Sequence, residues 1–160
     1  MRILGIDPGS YTTGYGIVEN QGDHLIHVAS GSISFSLKEP LPSRLKKIYD
    51  SVEEIIEQFS PDAVAIEHPF YAKSVKSLLR LGEVRGVVLL AVSNAELVVQ
   101  EYSPLSIKKS VVGFGMATKN QVQHMVKSLL SLNKVAEHNV SDALAVAICS
   151  IHSSKEPKEG

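Results

Sequence analysis

Length and composition place the chain among single-domain globular proteins. It has 160 residues, enough to bury one hydrophobic core, and its 44% hydrophobic and 21% charged residues exclude an intrinsically disordered chain. Its single cysteine, Cys149, excludes an intramolecular disulfide and a thiolate metal cluster, so a metal site would use oxygen and imidazole ligands. The apolar runs are too short for a membrane span or a signal peptide, and we therefore expect a cytoplasmic protein.

The net charge of −1 conceals an uneven distribution along the chain. Residues 73–134 contain nine basic and three acidic residues, a net charge of +6, whereas the rest of the chain carries −7. A positively charged surface favours a phosphate-rich partner such as nucleic acid, because Lys and Arg contacts to phosphates release counterions. Solvated helix faces explain the same composition equally well.

Three strands are predicted in the N-terminal third of the chain. They cover residues 2–7, about 13–20 and about 24–35. Pro8-Gly9 and residues 21–23 have the composition of tight turns, so the three strands are expected to form an antiparallel meander.

A helix and a further strand are predicted next. Apolar residues recur every three or four positions from Pro42, which predicts an amphipathic helix that Pro61 ends. The short apolar segment 63–66 predicts a strand ended by Glu67. This order of strand, helix and strand favours a parallel crossover onto the first strand, and the sheet is then mixed.

The C-terminal half is predicted to be mainly helical. The predicted elements are helices over about 74–94, 103–112, 119–132 and 140–152 and a strand over 97–101. Gly113-Phe114-Gly115 indicates a flexible loop, and the polar residues 153–160 are expected to form a disordered tail. The expected domain therefore covers residues 1–152.

Three acidic residues are candidates for one site. Asp7 and Glu67 end two strands that the crossover makes parallel neighbours, so both carboxylates are expected at the carboxyl edge of the sheet. Asp142, near the start of the last helix, would join them if that helix packs on the sheet. Three converging carboxylates repel one another unless they share a proton or a divalent cation, and oxygen ligands favour Mg²⁺ or Mn²⁺.

Each acid also has a structural interpretation. Asp7 before Pro-Gly can accept backbone hydrogen bonds in a turn, and Asp142 in a first helical turn is stabilised by the helix dipole. Asn139 and Ser141 are typical helix N-caps. His138, four residues before Asp142, can share its helix face or simply lie at the surface.

Aromatic and basic residues in the middle of the chain are candidate DNA contacts. They are Phe70, Tyr71, Lys73, Lys76, Lys108 and Lys119. Aromatic rings beside basic residues can stack on or wedge between nucleobases, although core packing explains Phe70 and Tyr71 equally well. Lys119 lies at a predicted helix start, where a cation opposes the helix dipole, and this placement indicates an external anion.

Several motifs together resemble a known family. They are MRILGIDPGSYTTGYGIVE, LPSRLKKIYDSVEEIIEQFSPDAVAIEHPFYAK, LGEVRGV, SVVGFG, ATKNQVQHMVKSLL and SDALAVAI. In this order and at this spacing they resemble the RuvC family of bacterial crossover-junction endodeoxyribonucleases, over residue 1 to about 152. The resemblance implies an α/β fold of the RNase H-like class, with a five-stranded mixed sheet and helices on both faces.

The resemblance also implies an activity and partners. It implies a homodimer that resolves Holliday junctions by paired, symmetric, Mg²⁺-dependent nicks with two ions per site, leaving 5′-phosphate and 3′-hydroxyl ends. It further implies cooperation with the RuvA and RuvB branch-migration proteins. The apolar face of the predicted helix 74–94 is our candidate dimer surface, with core packing as the alternative. Its residues are Leu78, Leu79, Leu81, Val84, Val88 and Leu89.

The resemblance assigns roles to individual residues. The positions that match the family's metal-binding acids are Asp7, Glu67 and Asp142. Phe70 matches the aromatic residue that acts on bases at the junction centre, while Lys108 and Lys119 match basic residues that face the scissile strand.

One position departs from the family pattern. Three residues before Asp142 the family usually has a fourth catalytic acid, or in some members a histidine, and this chain has Asn139 with His138 beside it. An amide lacks the negative charge that helps to hold a cation, so metal affinity is expected to fall. Either the chain carries an engineered Asp→Asn change that disables cutting, or it is a natural variant in which His138 substitutes as ligand.

Two other functions match parts of the sequence. A non-cleaving, junction-binding protein of the same fold would keep the DNA surface and lose the site through Asn139. Actin-like ATPases and sugar kinases share a turn like GIDPGS, but they need a second such lobe. A chain of 160 residues without a repeated Asp-x-Gly loop does not supply it.

Overall fold

The computed structural model describes residues 1–68 and 74–155. The strands are β1 (Arg2–Asp7), β2 (Thr12–Gln21), β3 (His24–Ser34), β4 (Ala63–Glu67) and β5 (Val98–Tyr102). The helices are α1 (Leu41–Phe59), α2 (Val75–Asn94), α3 (Pro104–Val112), α4 (Lys119–Leu129) and α5 (His138–Lys155). The predicted order of strands and helices is confirmed.

The five strands form one mixed sheet in the order β3-β2-β1-β4-β5. β1 to β3 form the predicted antiparallel meander, while β4 lies parallel to both β1 and β5. Ile6 of β1 pairs with Ile66 of β4. The next residue on each strand, Asp7 and Glu67, therefore ends its strand at the same edge of the sheet.

Helices cover both faces of the sheet because its strands are apolar on both sides. Leu4 and Ile66 belong to a buried cluster with residues of α1 and α2. Ile3 and Ala65, whose side chains point the opposite way in the pleat, belong to a second buried cluster with residues of α3, α4 and α5. Full burial of each large aliphatic side chain contributes about 1.5–3 kcal/mol to folding. Buried clusters on both faces of the sheet thus fix the positions of β1 and β4.

α5 is longer at both ends than the sequence predicted. It begins at His138, so Asn139 and Ser141 lie inside the helix and the N-cap interpretation of both residues is wrong. Ser141 is fully buried, and its backbone N–H donates to the carbonyl of Glu137. This hydrogen bond shows that helical geometry already includes Asn139.

The C-terminal end of α5 corrects the expected start of the tail. The helix continues to Lys155, so residues 153–155 are helical, and residues 156–160 lie outside the described part of the chain. Ile151 is fully buried and fixes the last turns against the core, while the Lys155 ammonium donates to the carbonyl of Gly22 at 3.0 Å. α4, in contrast, ends at Leu129, because Ser131 adopts a left-handed backbone conformation.

Within the described residues, no helix has both the length and the apolar character that crossing a membrane requires.

Glycines in β1 and β2 let α5 lie unusually close to the sheet. A Cβ atom added at Gly5 would overlap with the carbonyl oxygen of Ala143, and one added at Gly14 would overlap with the carbonyl oxygen of Asn139. In both cases the obstacle is helix backbone, which cannot rotate away as a side chain can. The absence of side chains at Gly5 and Gly14 therefore sets the distance between α5 and the sheet.

We predict that Gly5→Ala lowers the free energy of unfolding by about 1–3 kcal/mol, because the added methyl group pushes α5 off the sheet. In a chain of this size the Tm should fall by at least about 2 °C, measured by thermal unfolding. Gly31→Ala is the control, since its added Cβ meets the hydroxyl end of Tyr15, a side chain that can move. Equal unfolding temperatures for Gly5→Ala and the parent would contradict the close-contact account.

Candidate active site at the carboxyl edge of the sheet

Two of the three predicted acids are placed by the sheet itself. Asp7 and Glu67 end the neighbouring parallel strands β1 and β4, whose backbones lie about 4.8 Å apart. Both residues are half-buried. The crossover predicted from the sequence thus brings these two carboxylates to one edge.

The third acid is placed by α5. Gly14 pairs with Asp7 across β1 and β2, and the carbonyl of Asn139 lies directly over Gly14. Asp142 follows Asn139 by three residues and so lies on the same helix face, one turn further on. The close contact between α5 and β2 therefore brings the first turns of α5 to the edge where Asp7 ends.

The three carboxyl groups influence one another. The pKa of Asp7 is raised to about 7, mainly because burial disfavours its charged form, with further contributions from the charges of Asp142 and Glu67. Burial also raises the pKa of Glu67, and the charge of Asp142 adds to this effect. The pKa of Asp142 is raised by burial as well. Desolvated, mutually repelling carboxylates are the electrostatic signature of a functional site.

Two lysines and two of the acids, Glu67 and Asp142, line a cleft of about 170 Å³. The cleft is lined by Glu67, Pro104, Ile107, Lys108, Lys119, Val122, Asp142 and Ala145. Lys119 lowers the pKa of all three acids, and Lys108 lowers that of Glu67. The sequence predicted Lys108 and Lys119 as contacts to the scissile DNA strand, and that role stays a prediction, while the structure places both lysines beside Glu67 and Asp142.

A capping box fixes the start of α4 and with it Lys119. The Thr118 hydroxyl accepts from the Gln121 backbone N–H at 3.2 Å, and the Gln121 side chain accepts from the Thr118 N–H at 2.8 Å. Lys119 is the first residue of the helix, where its charge adds to the positive end of the dipole. The negative charge of the nearby acids offsets this otherwise unfavourable position.

Asn139 and His138 lie beside Asp142 in different environments. Asn139 is half-buried, and its Oδ1 atom accepts a hydrogen bond from the Val140 backbone N–H at 3.0 Å. His138 is exposed, and it lowers the pKa of Asp142, so it lies within electrostatic reach of that carboxylate. These contacts do not test whether Asn139 takes the place of the family's fourth acid or whether His138 substitutes for it as a metal ligand.

Of the other predicted DNA contacts, the structure describes Lys76. Lys76 is exposed in the first turn of α2 and is not among the cleft-lining residues. Phe70, Tyr71 and Lys73 lie outside the described residues.

The donor set at this edge fits a hard divalent cation. Three carboxylates and one amide oxygen are the ligand types that such cations prefer, and a cation would offset the repulsion that adds to the raised pKa values of Asp7 and Glu67. In residues 1–68 and 74–155, however, no group of three or more His, Cys, Asp or Glu side chains is already arranged to hold an ion. Mg²⁺ usually keeps several of its water ligands and needs only one or two carboxylates from the protein, so these acids remain candidate ligands.

One contact at this edge was missed by sequence reasoning. Arg85 of α2 donates from Nη1 to the carbonyl oxygen of Glu67 at 3.0 Å. In the sequence this arginine was only one of the nine basic residues of the positive region. A contact between residues 18 positions apart depends on the angle at which α2 crosses the sheet, and periodicity does not give that angle.

Acids able to bind a metal ion, faced by lysines able to bind phosphate, define a class of α/β enzymes that act on phosphate esters. The comparisons with known proteins specify the family. The family model described as "Crossover junction endodeoxyribonuclease RuvC" matches residues 3–150. The chain belongs to this family, whose members are hydrolytic nucleases that in general depend on a metal ion.

Individual relatives agree with this assignment. The chain is 51% identical to a RuvC of Citrifermentans bemidjiense over 96% of this chain and 94% of the relative. It is 54% identical to a RuvC of Vibrio cholerae over 96% and 88%. The solved structure of T. thermophilus RuvC in complex with Holliday junction substrate superposes with a TM-score of 0.92 at 30% identity, covering 97% of this chain and 95% of that one. The predicted RNase H-like α/β fold is confirmed.

We predict that, in EDTA, raising the pH from about 4 to above 7 destabilises the parent chain relative to Asp7→Asn. The folded chain keeps the Asp7 proton up to a pKa of about 7, whereas the unfolded chain loses it near pH 4. Between these values the folded state binds more protons, and linkage makes its stability fall as the pH rises. Thermal unfolding of both proteins across this range measures the difference.

The control for this experiment is Glu39→Gln, because Glu39 is exposed in the loop between β3 and α1. Its unfolding temperature should differ from that of the parent by the same amount at every pH. A pH-independent difference between Asp7→Asn and the parent would contradict the burial of the Asp7 charge.

Proposed function

We propose that this chain resolves Holliday junctions by making paired, symmetric nicks that leave 5′-phosphate and 3′-hydroxyl ends. The observation that carries the proposal is the meeting of three desolvated acids, Asp7, Glu67 and Asp142, with Lys108 and Lys119 at one edge of the sheet. The names of the relatives support the class of reaction, and T. thermophilus RuvC is named in complex with such a junction.

The three acids are the proposed ligands of two Mg²⁺ ions, for which Mn²⁺ should substitute. Bound there, the ions would activate the attacking water and stabilise the leaving 3′-oxygen. The protein's own contribution is to hold Asp7 and Glu67 on adjacent strands and Asp142 on a helix fixed against them. By lowering the pKa of all three acids, Lys119 favours the ionised form that a cation requires.

Lys108 and Lys119 are also the proposed contacts to the scissile strand. Both line the cleft next to Glu67 and Asp142. The N-terminus of α4 adds its unpaired backbone N–H groups to the charge of Lys119, and such a helix end favours a phosphate. We propose Lys76, Phe70, Tyr71 and Lys73 as further DNA contacts, with Phe70 acting on bases at the junction centre.

A junction-binding protein that does not cut is the second candidate function. It is favoured by Asn139, whose Oδ1 atom is engaged by the Val140 N–H and whose amide adds no negative charge to the site. The two candidates share the fold and the DNA surface. They differ in whether the parent chain, with His138 or Asn139 as the additional ligand, cuts the junction.

We predict that Asn139→Asp cuts a synthetic four-way junction on the order of 10-fold faster than the parent in Mg²⁺, because a fourth carboxylate strengthens metal binding. Single-turnover nicking gels measure the rate, and gel shifts in EDTA should give similar junction affinities for both. Asp142→Asn is the control that should bind without cutting, and a linear duplex of the same sequence should stay intact.

Three outcomes are decisive for this prediction. Equal cutting by the parent and Asn139→Asp would contradict the charge requirement, and His138→Ala in the parent then tests whether His138 supplies the ligand. Binding by the parent without any cutting, with cutting restored in Asn139→Asp, would establish the second candidate function for this chain. Failure of both proteins to bind a four-way junction would overturn the resolvase proposal.

A homodimer is the proposed form of the enzyme, because paired nicks need two active sites. The residues predicted to form the dimer surface of α2 differ in how far they are exposed. Val84 and Val88 are buried in the core, so their assignment to that surface is wrong, and Leu81 and Leu89 are half-buried. The helix period had identified apolar positions without showing which of them face the sheet.

The exposed face of α2 remains the candidate dimer surface. Leu78 and Leu79 are 53% and 64% exposed, and Val75 and Leu90 on the same face are 85% and 55% exposed. Gly82 and Gly86 lie along the same stripe with open space beside them. Leucines flanking small residues suit close packing against a second copy of the helix.

We predict that Leu79→Glu raises the dimer dissociation constant at least about 10-fold, because dimerisation would bury an unpaired charge. Sedimentation velocity over a range of concentrations measures it. Leu37→Glu is the control, since Leu37 is similarly exposed but lies in the loop between β3 and α1. A dimer unaffected by Leu79→Glu would exclude this face of α2.

The RuvA and RuvB proteins are proposed as partners in branch migration, and the cytoplasm as the place of action. The support for both proposals is membership of the RuvC family, since relatives named RuvC match nearly the full chain.

A further inference from the structure

Arg85 makes contacts to two strands at the carboxyl edge of the sheet. Its Nη1 donates to the carbonyl of Glu67 at 3.0 Å, and its Nη2 lies 3.1 Å from Oε2 of Glu101 on β5. Only 13% of the arginine side chain is exposed. A planar guanidinium can make both contacts at once, because its N–H groups point in fixed directions.

Glu101 keeps the Arg85 charge compensated. Its Oε2 atom also lies 2.8 Å from Nδ1 of His68, the residue that follows Glu67. The His68 backbone N–H donates to the Tyr102 carbonyl at 2.8 Å, which extends the contact between β4 and β5 by one residue. The backbone on both sides of the Glu67 carboxylate is therefore held.

The charged groups that act on the Glu67 carboxyl differ from those that hold its backbone. Glu67 lines the cleft together with Asp142, Lys108 and Lys119. Arg85, in contrast, is paired with Glu101 and contacts Glu67 only through the carbonyl group. An arginine paired directly with the carboxylate would compete with a cation, and this arrangement leaves the carboxylate available.

We propose that Arg85 is a positioning residue, which fixes the end of β4 so that the Glu67 carboxylate is directed toward Asp7 and Asp142. Glu101 assists by holding the guanidinium in place. The proposal rests on the proposed function, in which Glu67 is a metal ligand. Partners that orient a ligand are typically worth about 10–100-fold in metal affinity or activity.

The test compares Arg85→Met with Arg80→Met. Arg80 lies on the same helix and carries the same charge, but its guanidinium makes a long contact, 3.4 Å to the Tyr11 hydroxyl. We expect Arg85→Met to lower the single-turnover rate on a four-way junction about 10–100-fold at saturating protein. Junction affinity should change less than about 3-fold, and Arg80→Met should cut like the parent at saturation.

A second readout does not depend on cutting. A divalent cation that binds the folded chain raises its Tm, and we expect Mn²⁺ to raise that of Arg85→Met less than that of the parent. In a Glu67→Gln background, adding Arg85→Met should reduce the Mn²⁺ effect no further, because both changes act on the same ligand. Should Arg85→Met fold poorly, Arg85→Lys replaces it, since lysine keeps the charge but not the two-pronged contact.

The outcomes separate this proposal from the proposed function. If Arg85→Met lowers the Tm in EDTA but keeps the parent's rate and Mn²⁺ effect, Arg85 is only a structural link between α2 and the sheet, and the proposal is overturned. Additive effects with Glu67→Gln would also overturn it. If the parent and Asn139→Asp cut no junction, the proposed function fails, while the Mn²⁺ measurement still decides the role of Arg85.

Discussion

The close contact of α5 with β1 and β2 is the constraint on which the candidate active site depends. β1 and β4 deliver two carboxylates to one edge by strand pairing alone, but the third belongs to a helix that must lie almost on the sheet backbone. Gly5 and Gly14 make this possible because they place no side chain between the strands and the carbonyl groups of α5. The site is thus a product of packing as much as of residue type.

This packing brings three carboxyl groups close together and partly buries them, which is electrostatically unfavourable. Holding Asp7, Glu67 and Asp142 together in a partly buried position raises the pKa of each, which works against stability at neutral pH. Lys108 and Lys119 offset part of the repulsion from across the cleft. A site that favours a proton or a cation on its acids is suited to binding metal and phosphate together.

The sequence was sufficient to predict the order of the elements and the proximity of the three acids, since hydrophobic periodicity identifies strands and helices and a parallel crossover places Asp7 beside Glu67. Side-chain directions that depend on how helices cross the sheet could not be predicted. Periodicity alone did not distinguish the buried Val88 from the exposed Leu79. It also could not reveal the contact between Arg85 and Glu67, which joins α2 to the site.

The most direct test of the account is a crystal structure of the chain with a four-way junction and Mn²⁺, in which anomalous scattering locates the metal. The account predicts Mn²⁺ bound by Asp7, Glu67 and Asp142 and in contact with a phosphate of the junction, with Lys119 facing the same strand. Mn²⁺ bound elsewhere on the protein, with a junction phosphate distant from these three carboxylates, would contradict it.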